Sequence, residues 1–290
     1  MKQKIGFCGL GKMGSVMAPL FIEAGYSLTV YNRSSEKTDP LKRIGASIAE
    51  LPSEVSEESE IIFTMLSDDE AIESIYLSKD GLLSADINGR LFIDMSTIKP
   101  KTVLKISNEV QKKSGSFIDA PVSGTVAPAA KGELLIFCGG DTGHIKRAKP
   151  FLDILARRII HAGKIGSGSL LKLVVNLPLA IYWQALAESI LLGKSGQLSE
   201  EVMLDAIADS SAALAVLKMK IPIMLGEDMP VAFDMKSMVK DLSVILQTAE
   251  ALDVEIPTTK SAYEIYSKAI KDEKYTSADA VKIIDYMKRK

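Results

Sequence analysis

The chain has 290 residues, 47% of them hydrophobic and 25% charged, so it can form a sizeable folded core and is not an intrinsically disordered chain. Its formal net charge is −2 with both signs interspersed, which argues against nucleic acid or an anionic membrane as its main partner. A small molecule is the better candidate. The two cysteines, Cys8 and Cys138, lie in apolar segments, and the N-terminus shows no signal-peptide pattern, so we expect buried thiols in a cytoplasmic protein.

Short strands and helical segments alternate through the first half of the chain. Apolar, β-branched segments predict six buried strands, at residues 4–8, 27–31, 61–66, 91–95, 117–119 and 134–138. A short strand at 158–161 and the glycine-rich segment 163–168 follow, after which the 3.6-residue period of helices replaces the strand pattern. We therefore expect a mainly parallel α/β sheet in residues 1–164 and an all-helical domain in residues 165–290.

The second half of the chain predicts about five helices. A long apolar stretch runs from Leu170 to Gly193, and the other helices are expected at residues 199–208, 237–252, 259–269 and 277–289. Ser199 and Ser277 are the expected N-caps of two of them. The long stretch has the length of a membrane span, but polar residues interrupt it at Lys172, Asn176, Gln184 and Glu188. It indicates a helix buried at a domain or subunit interface.

Three glycines follow the first predicted strand in the pattern G-L-G-K-M-G. Gly9, Gly11 and Gly14 join that strand to a helix, where missing side chains let the backbone approach a pyrophosphate at the positive helix N-terminus. A lone G-x-G-x-x-G is a weak signal, and glycines that merely form a tight turn are the alternative. The strand-to-helix context favours a dinucleotide site.

The end of the second predicted strand is expected beside the adenosine ribose of that dinucleotide. NAD-binding domains commonly place an acid there, whereas this chain has Asn32, Arg33 and Ser34, with no acid before Glu36. Arg33 can pair with a 2′-phosphate while Asn32 and Ser34 donate hydrogen bonds. The pattern favours NADP, and a solvated surface arginine is the alternative.

The chain offers few groups for acid–base chemistry. His144 and His161 lie far in sequence from the other motifs, and no Cys/His cluster predicts a metal site. Lys172 and Asn176 stand four residues apart, on one face of the long apolar helix just beyond the domain junction. A lysine there can protonate a carbonyl oxygen while the amide at the next turn holds the lysine or the substrate. The alternative is a lysine that extends its ammonium to the surface.

The segment D-A-P-V-S-G, residues 119–124, ends the fifth predicted strand. Ligands of open parallel sheets bind at such carboxyl ends. Ser123, Gly124 and Thr125 supply hydroxyls and backbone N–H groups that suit a carboxylate. A simple turn has the same composition.

Two further motifs carry polar side chains. Ser96 and Thr97 follow the fourth strand in D-M-S-T, where they either meet the cofactor or cap the next helix. Phe233 precedes the pair Lys240 and Asp241 on a later helix, and a solvated charge pair is the simplest interpretation of those two residues.

Together and in this order, these motifs resemble the β-hydroxyacid dehydrogenase family over essentially the whole chain. The family shows G-x-G-x-M-G, D-M-S-T, A-P-V-S-G, a glycine-rich turn followed by Lys and Asn at i+4, and a late Lys-Asp pair. Within the family, three segments look more like the glyoxylate and succinic semialdehyde reductase branch than like other relatives. They are Asn32-Arg33, then Ser123-Gly124-Thr125 leading to Pro128, Ala129 and Gly132, and finally Lys172 to Asn176.

The resemblance implies a Rossmann-type domain followed by an all-α domain, assembled as a homodimer or homotetramer. It implies NADPH-dependent reduction of a short aldehyde acid of the glyoxylate or succinic semialdehyde type, with Lys172 as the general acid. Pro178 is a departure from the family pattern that should kink the helix and reshape the pocket.

The substrate contacts that we expect are Ser123, Gly124, Thr125, Asn176, Phe233 and Asp241. The cofactor contacts that we expect are Gly9, Leu10, Gly11, Lys12, Met13, Gly14, Asn32, Arg33, Ser34, Met65, Leu66, Ser96, Thr97 and Lys240.

Three other functions stay open at this point. A 3-hydroxyacid dehydrogenase, acting oxidatively on substrates such as 3-hydroxyisobutyrate or 3-hydroxypropionate, shares the architecture, as does an imine reductase. A non-catalytic NADPH-binding scaffold would not need the lysine, so the retained Lys172 and Asn176 argue against it.

Overall fold

The structure is a computed structural model that describes residues 3–289 and forms two compact units. The first unit ends at Leu173 and the second begins at Val174. The boundary predicted from sequence, between residues 164 and 165, lies just before the helix that leads from one unit into the other, and it stays a prediction.

The first unit alternates strands with helices. Its elements are β1 (Lys4–Cys8), α1 (Gly14–Glu23), β2 (Ser27–Tyr31), α2 (Asp39–Arg43), β3 (Ser47–Ile48), α3 (Pro52–Glu58), β4 (Ile61–Thr64), α4 (Asp69–Leu77), β5 (Leu91–Asp94), α5 (Pro100–Lys112), β6 (Ser116–Asp119), β7 (Val122–Ser123), α6 (Val126–Ala130), β8 (Leu134–Gly139), α7 (Thr142–Leu155), β9 (Ala156–Gly163) and the start of α8 (Ser167–Ser195).

The strands form one nine-stranded sheet in the order β3-β2-β1-β4-β5-β6-β8-β7, with β9 pairing with β8. The first six strands in this order are all parallel, which is the strand order of the Rossmann fold. Beyond β6, strand β8 runs antiparallel to β6 and β7 and parallel to β9. The predicted α/β class is therefore confirmed, with an antiparallel extension at one edge.

Helices cover both faces of this sheet, which explains the nearly continuous apolar strands. Successive residues of β4 and β5 enter opposite cores: Ile61 and Phe63 pack with α1 and α7, whereas Ile62 and Phe92 pack with α3, α4 and α5. The seven predicted strands are present, each within two residues of its predicted bounds. The two-residue strands β3 and β7 were not predicted, because they have too few residues to show a pattern.

The second unit is all-helical, as predicted. It contains the rest of α8, then α9 (Glu200–Ala208), α10 (Leu217–Met224), α11 (Met235–Ala251), α12 (Pro257–Ala269), α13 (Glu273–Thr276) and α14 (Ile283–Met287). Trp183 of α8, Leu242 of α11 and Tyr266 of α12 are buried together in its core.

Of the two predicted N-caps, one is confirmed and one is wrong, and one helix was not predicted. Ser199 does cap α9, since its hydroxyl accepts a hydrogen bond from Val202 N at 3.3 Å. Ser277 is not an N-cap: it ends α13, and the carboxylate of Asp279 caps the short turn that leads into α14. Helix α10 was not predicted, because it is short and Pro222 interrupts its pattern.

Helix α8 is apolar and exposed along much of its length. Among the described residues it is the one helix long and apolar enough to span a membrane. Only 28% of its apolar 18-residue stretch is buried within the chain. Val174 and Leu192 are 57% and 78% exposed. Within one chain α8 is therefore not the buried helix that the sequence favoured, and burial against a second subunit stays a prediction. Pro178 lies inside α8 without ending it.

Candidate active site

The glycine motif forms the turn between β1 and α1. Gly9 has a φ of +100°, and a Cβ atom there would overlap the carbonyl of Met65. A Cβ atom on Gly14 would overlap the carbonyl of Gly9, so this glycine permits close packing of the helix on the turn. A Cβ atom on Gly11 would meet nothing within 4 Å. The first and third glycines thus shape the turn, while the second leaves space beside it.

That space fits a dinucleotide pyrophosphate. The turn lies at the carboxyl ends of β1 and β4, where the strand order reverses and open α/β sheets bind their ligands. The first turn of α1 contains no acidic residue and has no side-chain cap, so no carboxylate of this turn opposes an anion at the positive end of the helix. Leu10 is buried under this turn, Lys12 is exposed, and Met13 is half-buried.

Asn32 connects the glycine turn to the end of β2. Its Oδ1 accepts a hydrogen bond from Leu10 N at 2.8 Å, and its Nδ2 donates to Ser34 O at 2.9 Å. The sequence interpretation had Asn32 donating to a phosphate. In the structure its side chain instead ties the glycine turn to the segment after β2. Arg33 is therefore the main candidate for contact with a phosphate.

Arg33 lines a cavity of about 600 Å³ beside β2 and β3. Lys42 also lines this cavity and supplies a second cation that the motif did not reveal. The cavity also includes the carboxylates of Glu36, Asp39 and Glu50. The expected absence of acid therefore holds for residues 31–35 of the sequence, but not for the folded pocket.

A buried polar network lies under the loop that follows β4. Asp94 Oδ1 accepts hydrogen bonds from Thr64 Oγ1 at 2.7 Å and from Ser96 Oγ at 2.8 Å, and Ser96 Oγ accepts one from Leu66 N at 2.9 Å. Asp94 is fully buried, and this burial raises its pKa to about 6, although the donated hydrogen bonds oppose the rise.

The network corrects the interpretation of D-M-S-T. Ser96 is fully buried and its hydroxyl is engaged with Asp94 and Leu66, so the structure does not present this hydroxyl to a ligand. Neither Ser96 nor Thr97 caps α5, whose N-cap residue is Lys99. Thr97 is half-buried at the same end of the sheet, as are Met65 and Leu66.

The segment after β6 carries the expected anion-binding groups on an antiparallel hairpin. Ser123 ends β7 opposite Leu135 of β8 and is half-buried. Gly124 is exposed with a φ of +141°, a conformation that glycine adopts readily. Thr125 is the N-cap residue of α6 and makes no side-chain capping bond. Gly124 thus lies at the surface of the turn, and Ser123 beside it is partly exposed.

Lys172 lies in the second turn of α8 and is only 9% exposed. The carboxylate of Asp119 binds the first turn of the same helix, through Gly166 N at 2.8 Å and Ser169 N at 2.7 Å. Sequence reasoning did not assign Asp119 or Asp94 a role, although an acid that ends an apolar strand was a signal for both.

In the second unit, Asn176 and Asp241 are paired. Asn176 Nδ2 donates to Asp241 Oδ2 at 2.7 Å, and Lys240 Nζ lies 2.6 Å from Asp241 Oδ1. Asp241 is buried, so the late Lys-Asp motif is not a solvated pair: its acid orients the amide of Asn176. Phe233 is half-buried, and its carbonyl accepts a hydrogen bond from Ala280 N at 2.8 Å.

Both histidines have structural partners. His144 Nε2 lies 3.0 Å from Ser116 Oγ, and His161 Nε2 lies 2.9 Å from Gly163 O. Within residues 3–289 no three His, Cys, Asp or Glu side chains are grouped to hold a metal ion.

The parallel sheet, its strand order and the glycine turn at the point of reversal define a dinucleotide-binding protein. Residues 4–163 match the family described as the NAD binding domain of 6-phosphogluconate dehydrogenase, and residues 166–287 match the family described as NAD-binding of NADP-dependent 3-hydroxyisobutyrate dehydrogenase. The chain belongs to the β-hydroxyacid dehydrogenase family and is an NAD(P)-dependent oxidoreductase.

Individual relatives agree with this membership. The chain is 34% identical to glyoxylate/succinic semialdehyde reductase 1 of Arabidopsis thaliana over 92% of both chains. It is 32% identical to the NAD-dependent L-serine dehydrogenase of Pseudomonas aeruginosa over 93% of both. The solved structure of Mycobacterium tuberculosis 3-hydroxyisobutyrate dehydrogenase with L-serine superposes with a TM-score of 0.88, at 28% identity and over 99% of both chains.

Proposed function

We propose that this chain reduces a short aldehyde acid, of the glyoxylate or succinic semialdehyde type, to the corresponding hydroxy acid, with NADPH as reductant and Lys172 as general acid. The observation that carries the proposal is a buried lysine on α8 in a chain 34% identical to a reductase of these aldehydes. The reductase and dehydrogenases reported above support hydroxyacid dehydrogenase activity, and the proposal adds the substrate, the cofactor and the proton donor.

The reaction adds a hydride to the carbonyl carbon and a proton to the carbonyl oxygen. NADPH, when bound, supplies the hydride. Lys172 donates the proton from Nζ to the oxygen, so no free alkoxide forms. Its low exposure restricts competition from bulk water for the same oxygen. General acids of this kind typically accelerate a reaction about 100- to 10,000-fold.

The carboxylate of the substrate needs donors, and the hairpin after β6 supplies them. The Ser123 hydroxyl and the Gly124 N–H are the groups that we assign to it. A charge-assisted hydrogen bond contributes about 1.5 to 3 kcal/mol. An aldehyde of equal length without the carboxylate should therefore show a kcat/KM roughly tenfold to a hundredfold lower.

NADPH is the proposed cofactor because Arg33 and Lys42 lie on the cavity at the end of β2, where a 2′-phosphate would be bound. The three carboxylates of that cavity oppose a dianion. The preference for NADPH must therefore come from direct pairing with the guanidinium of Arg33 rather than from the net field of the pocket.

A second candidate function is oxidation of a 3-hydroxy acid with NAD. It is favoured by the 32% identity to an NAD-dependent L-serine dehydrogenase and by the TM-score of 0.88 to a 3-hydroxyisobutyrate dehydrogenase. The similarity to imine reductases, at 17% to 20% identity, extends to the fold alone.

One turnover screen separates these functions. Purified protein is assayed with glyoxylate, succinic semialdehyde and matched neutral aldehydes, with 3-hydroxy acids and L-serine in the oxidative direction, and with a cyclic imine, each with both cofactors. We expect the highest kcat/KM for an aldehyde acid with NADPH. Faster oxidation of a 3-hydroxy acid with NAD would replace the proposal by the second candidate. Tight NADPH binding without turnover of any substrate would indicate a scaffold.

A further inference from the structure

We propose that Asp119 is a positioning residue that docks the first turn of α8 onto the sheet and thereby sets the position of Lys172. The inference rests on the assignment of Lys172 as general acid in the proposed function.

Asp119 satisfies the N-terminus of α8 from a distant strand. Leu170 N donates to Gly166 O, so Gly166 is the N-cap residue and Ser169 is the third residue of the helix. Asp119 Oδ1 accepts from Gly166 N at 2.8 Å, and Oδ2 accepts from Ser169 N at 2.7 Å. These are the two N–H groups that a capping box satisfies from within a helix. Gly166 has no side chain that could accept a hydrogen bond from Ser169 N–H. The carboxylate of Asp119 accepts that hydrogen bond, and it also accepts the one from Gly166 N–H.

Backbone contacts hold the same turn against the sheet. A Cβ atom on Gly168 would overlap the carbonyl of Phe137, and a Cβ atom on Gly139 would overlap Oδ1 of Asp119 and lie 2.7 Å from Gly168 N. The start of α8 therefore packs closely on the backbone at the ends of β6 and β8. Such contact gives the turn little freedom to shift.

The charge of Asp119 makes this docking strong. The residue is fully buried, which raises its pKa, whereas the hydrogen bonds from Ser169 and Gly166 lower it. Its two oxygens face the positive end of a helix of 29 residues. If the first turn moved away, a buried carboxylate would lose both donors, and such a group is costly to leave unsatisfied.

Two candidate functional segments meet at this residue. Asp119 is the last residue of β6, and the chain continues from it into the hairpin with Ser123 and Gly124. Ser169 is three residues before Lys172, so the docked turn directly precedes the turn that carries the lysine. Because a shift of about 1 Å in a catalytic group can cost about 100-fold in rate, the docking should affect turnover and not only stability.

The test is Asp119→Asn in the full chain. The amide replaces one oxygen by a donor, which then faces either Gly166 N–H or Ser169 N–H. We expect kcat to fall at least about tenfold with the KM for NADPH within about twofold of wild type. Amide hydrogen exchange across residues 164–173 should accelerate at least about tenfold, while exchange in β1 and α1 stays unchanged.

Asp141→Asn is the matched control. Asp141 also binds a helix N-terminus through its carboxylate, but as the exposed N-cap residue of its own helix, where its Oδ1 accepts from Gly143 N at 2.7 Å, and α7 carries no candidate catalytic group. We expect wild-type kcat and wild-type exchange in residues 164–173 for this variant.

A double-mutant cycle tests whether Asp119 acts through Lys172. In the Lys172→Ala background, Asp119→Asn should lower the residual rate by less than about twofold, because the group that it positions is gone. Effects of the two substitutions that multiply would overturn the proposal. Wild-type kcat in Asp119→Asn would also overturn it, and so would a parallel loss of kcat, NADPH affinity and thermal stability. If Asp119→Asn is not recovered folded, Asp119→Ser, which keeps one acceptor, takes its place in the cycle.

The outcome for Lys172→Ala alone reports on the proposed function. If that variant keeps wild-type turnover, the lysine mechanism fails regardless of Asp119. If it loses turnover as expected while Asp119→Asn does not, only the positioning role fails.

Discussion

Lys172 carries the chemical part of the proposal, and its removal has a defined expectation. Lys172→Met keeps the length and apolar character of the side chain but removes the proton donor. We expect kcat to fall on the order of 100-fold or more while the Kd for NADPH is unchanged, measured by steady-state kinetics and by titration of NADPH fluorescence. Turnover close to wild type in the folded variant would remove Lys172 from the mechanism.

Arg33 is the residue on which the cofactor preference depends. Arg33→Ala should raise the KM for NADPH roughly tenfold to a hundredfold and leave the KM for NADH nearly unchanged, because NADH has no 2′-phosphate to lose a partner. The measurement is kcat/KM with each cofactor. An equal loss for both cofactors would make Arg33 a general adenosine contact.

Glu50 provides a counter-variant in the same cavity. Glu50 lines the same cavity as Arg33 and Lys42, and it is negatively charged, as a 2′-phosphate is. Glu50→Gln should therefore shift the ratio of kcat/KM values toward NADPH, in the direction opposite to Arg33→Ala. A shift toward NADH would contradict this picture of the pocket.

Asp94 should give the stability of the protein a specific pH dependence. Its pKa rises from 3.8 to about 6 in the folded state, so between these values the folded protein holds a proton that the unfolded chain has released. The contribution of this group to stability therefore falls as pH rises through that window and is constant above it.

The difference from Asp94→Asn isolates this effect. On lowering the pH from about 7 to about 5, wild type should gain about 1 kcal/mol in unfolding free energy relative to Asp94→Asn, measured by urea unfolding at each pH. A constant difference between the two proteins over this range would show that Asp94 does not titrate there.

Among the elements, the turn between β1 and α1 contains one glycine that the fold requires and another that only cofactor binding should require. Gly14→Ala places a methyl group on the carbonyl of Gly9, so we expect a lower melting temperature and a loss of cofactor binding together. Gly11→Ala meets no protein atom, so the fold should be retained while NADPH affinity falls at least about tenfold. Thermal melts and NADPH titrations of the two variants check this. Unchanged affinity in Gly11→Ala would argue against a pyrophosphate at this turn.

For the whole molecule, the exposed face of α8 is a candidate surface for the self-association as a homodimer or homotetramer that the family resemblance implies. Val174 and Leu192 are eighteen residues apart, about five helical turns, so they lie on one face, and both are largely exposed. The Val174→Lys/Leu192→Lys variant should dissociate into monomers while wild type has a multiple of the chain mass, measured by light scattering after gel filtration. Because both positions are exposed within one chain, the two lysines should change the free energy of unfolding of that chain only slightly.

Leu252→Lys is the control, because Leu252 is 56% exposed but lies at the end of α11. It should leave the oligomer intact. A monomeric wild type would refute self-association through α8, and co-sedimentation of the protein with lipid vesicles would indicate that the helix meets a membrane instead.

The sequence by itself determined the features that depend on local patterns. Strand and helix order, the glycine turn after β1 and the change to an all-helical half follow from periodicity and from residues with special backbone conformations, and these signals are contained within a few neighbouring residues. The family and the nicotinamide cofactor followed from the order of the motifs. Local patterns also failed where competing caps were close together, as at Ser277 and Asp279.

Only the tertiary structure decided which polar groups serve the site directly and which support it. Ser96 turned inward to accept a hydrogen bond from Leu66, and Glu50 joined Arg33 in one cavity. Asp119 reached the N-terminus of α8, which is 47 to 50 residues later in the chain. Each of these contacts joins separate strands, helices or loops. Whether a carboxylate faces solvent, a cation or a helix N-terminus therefore depends on how the sheet brings these segments together, and no local sequence pattern contains that information.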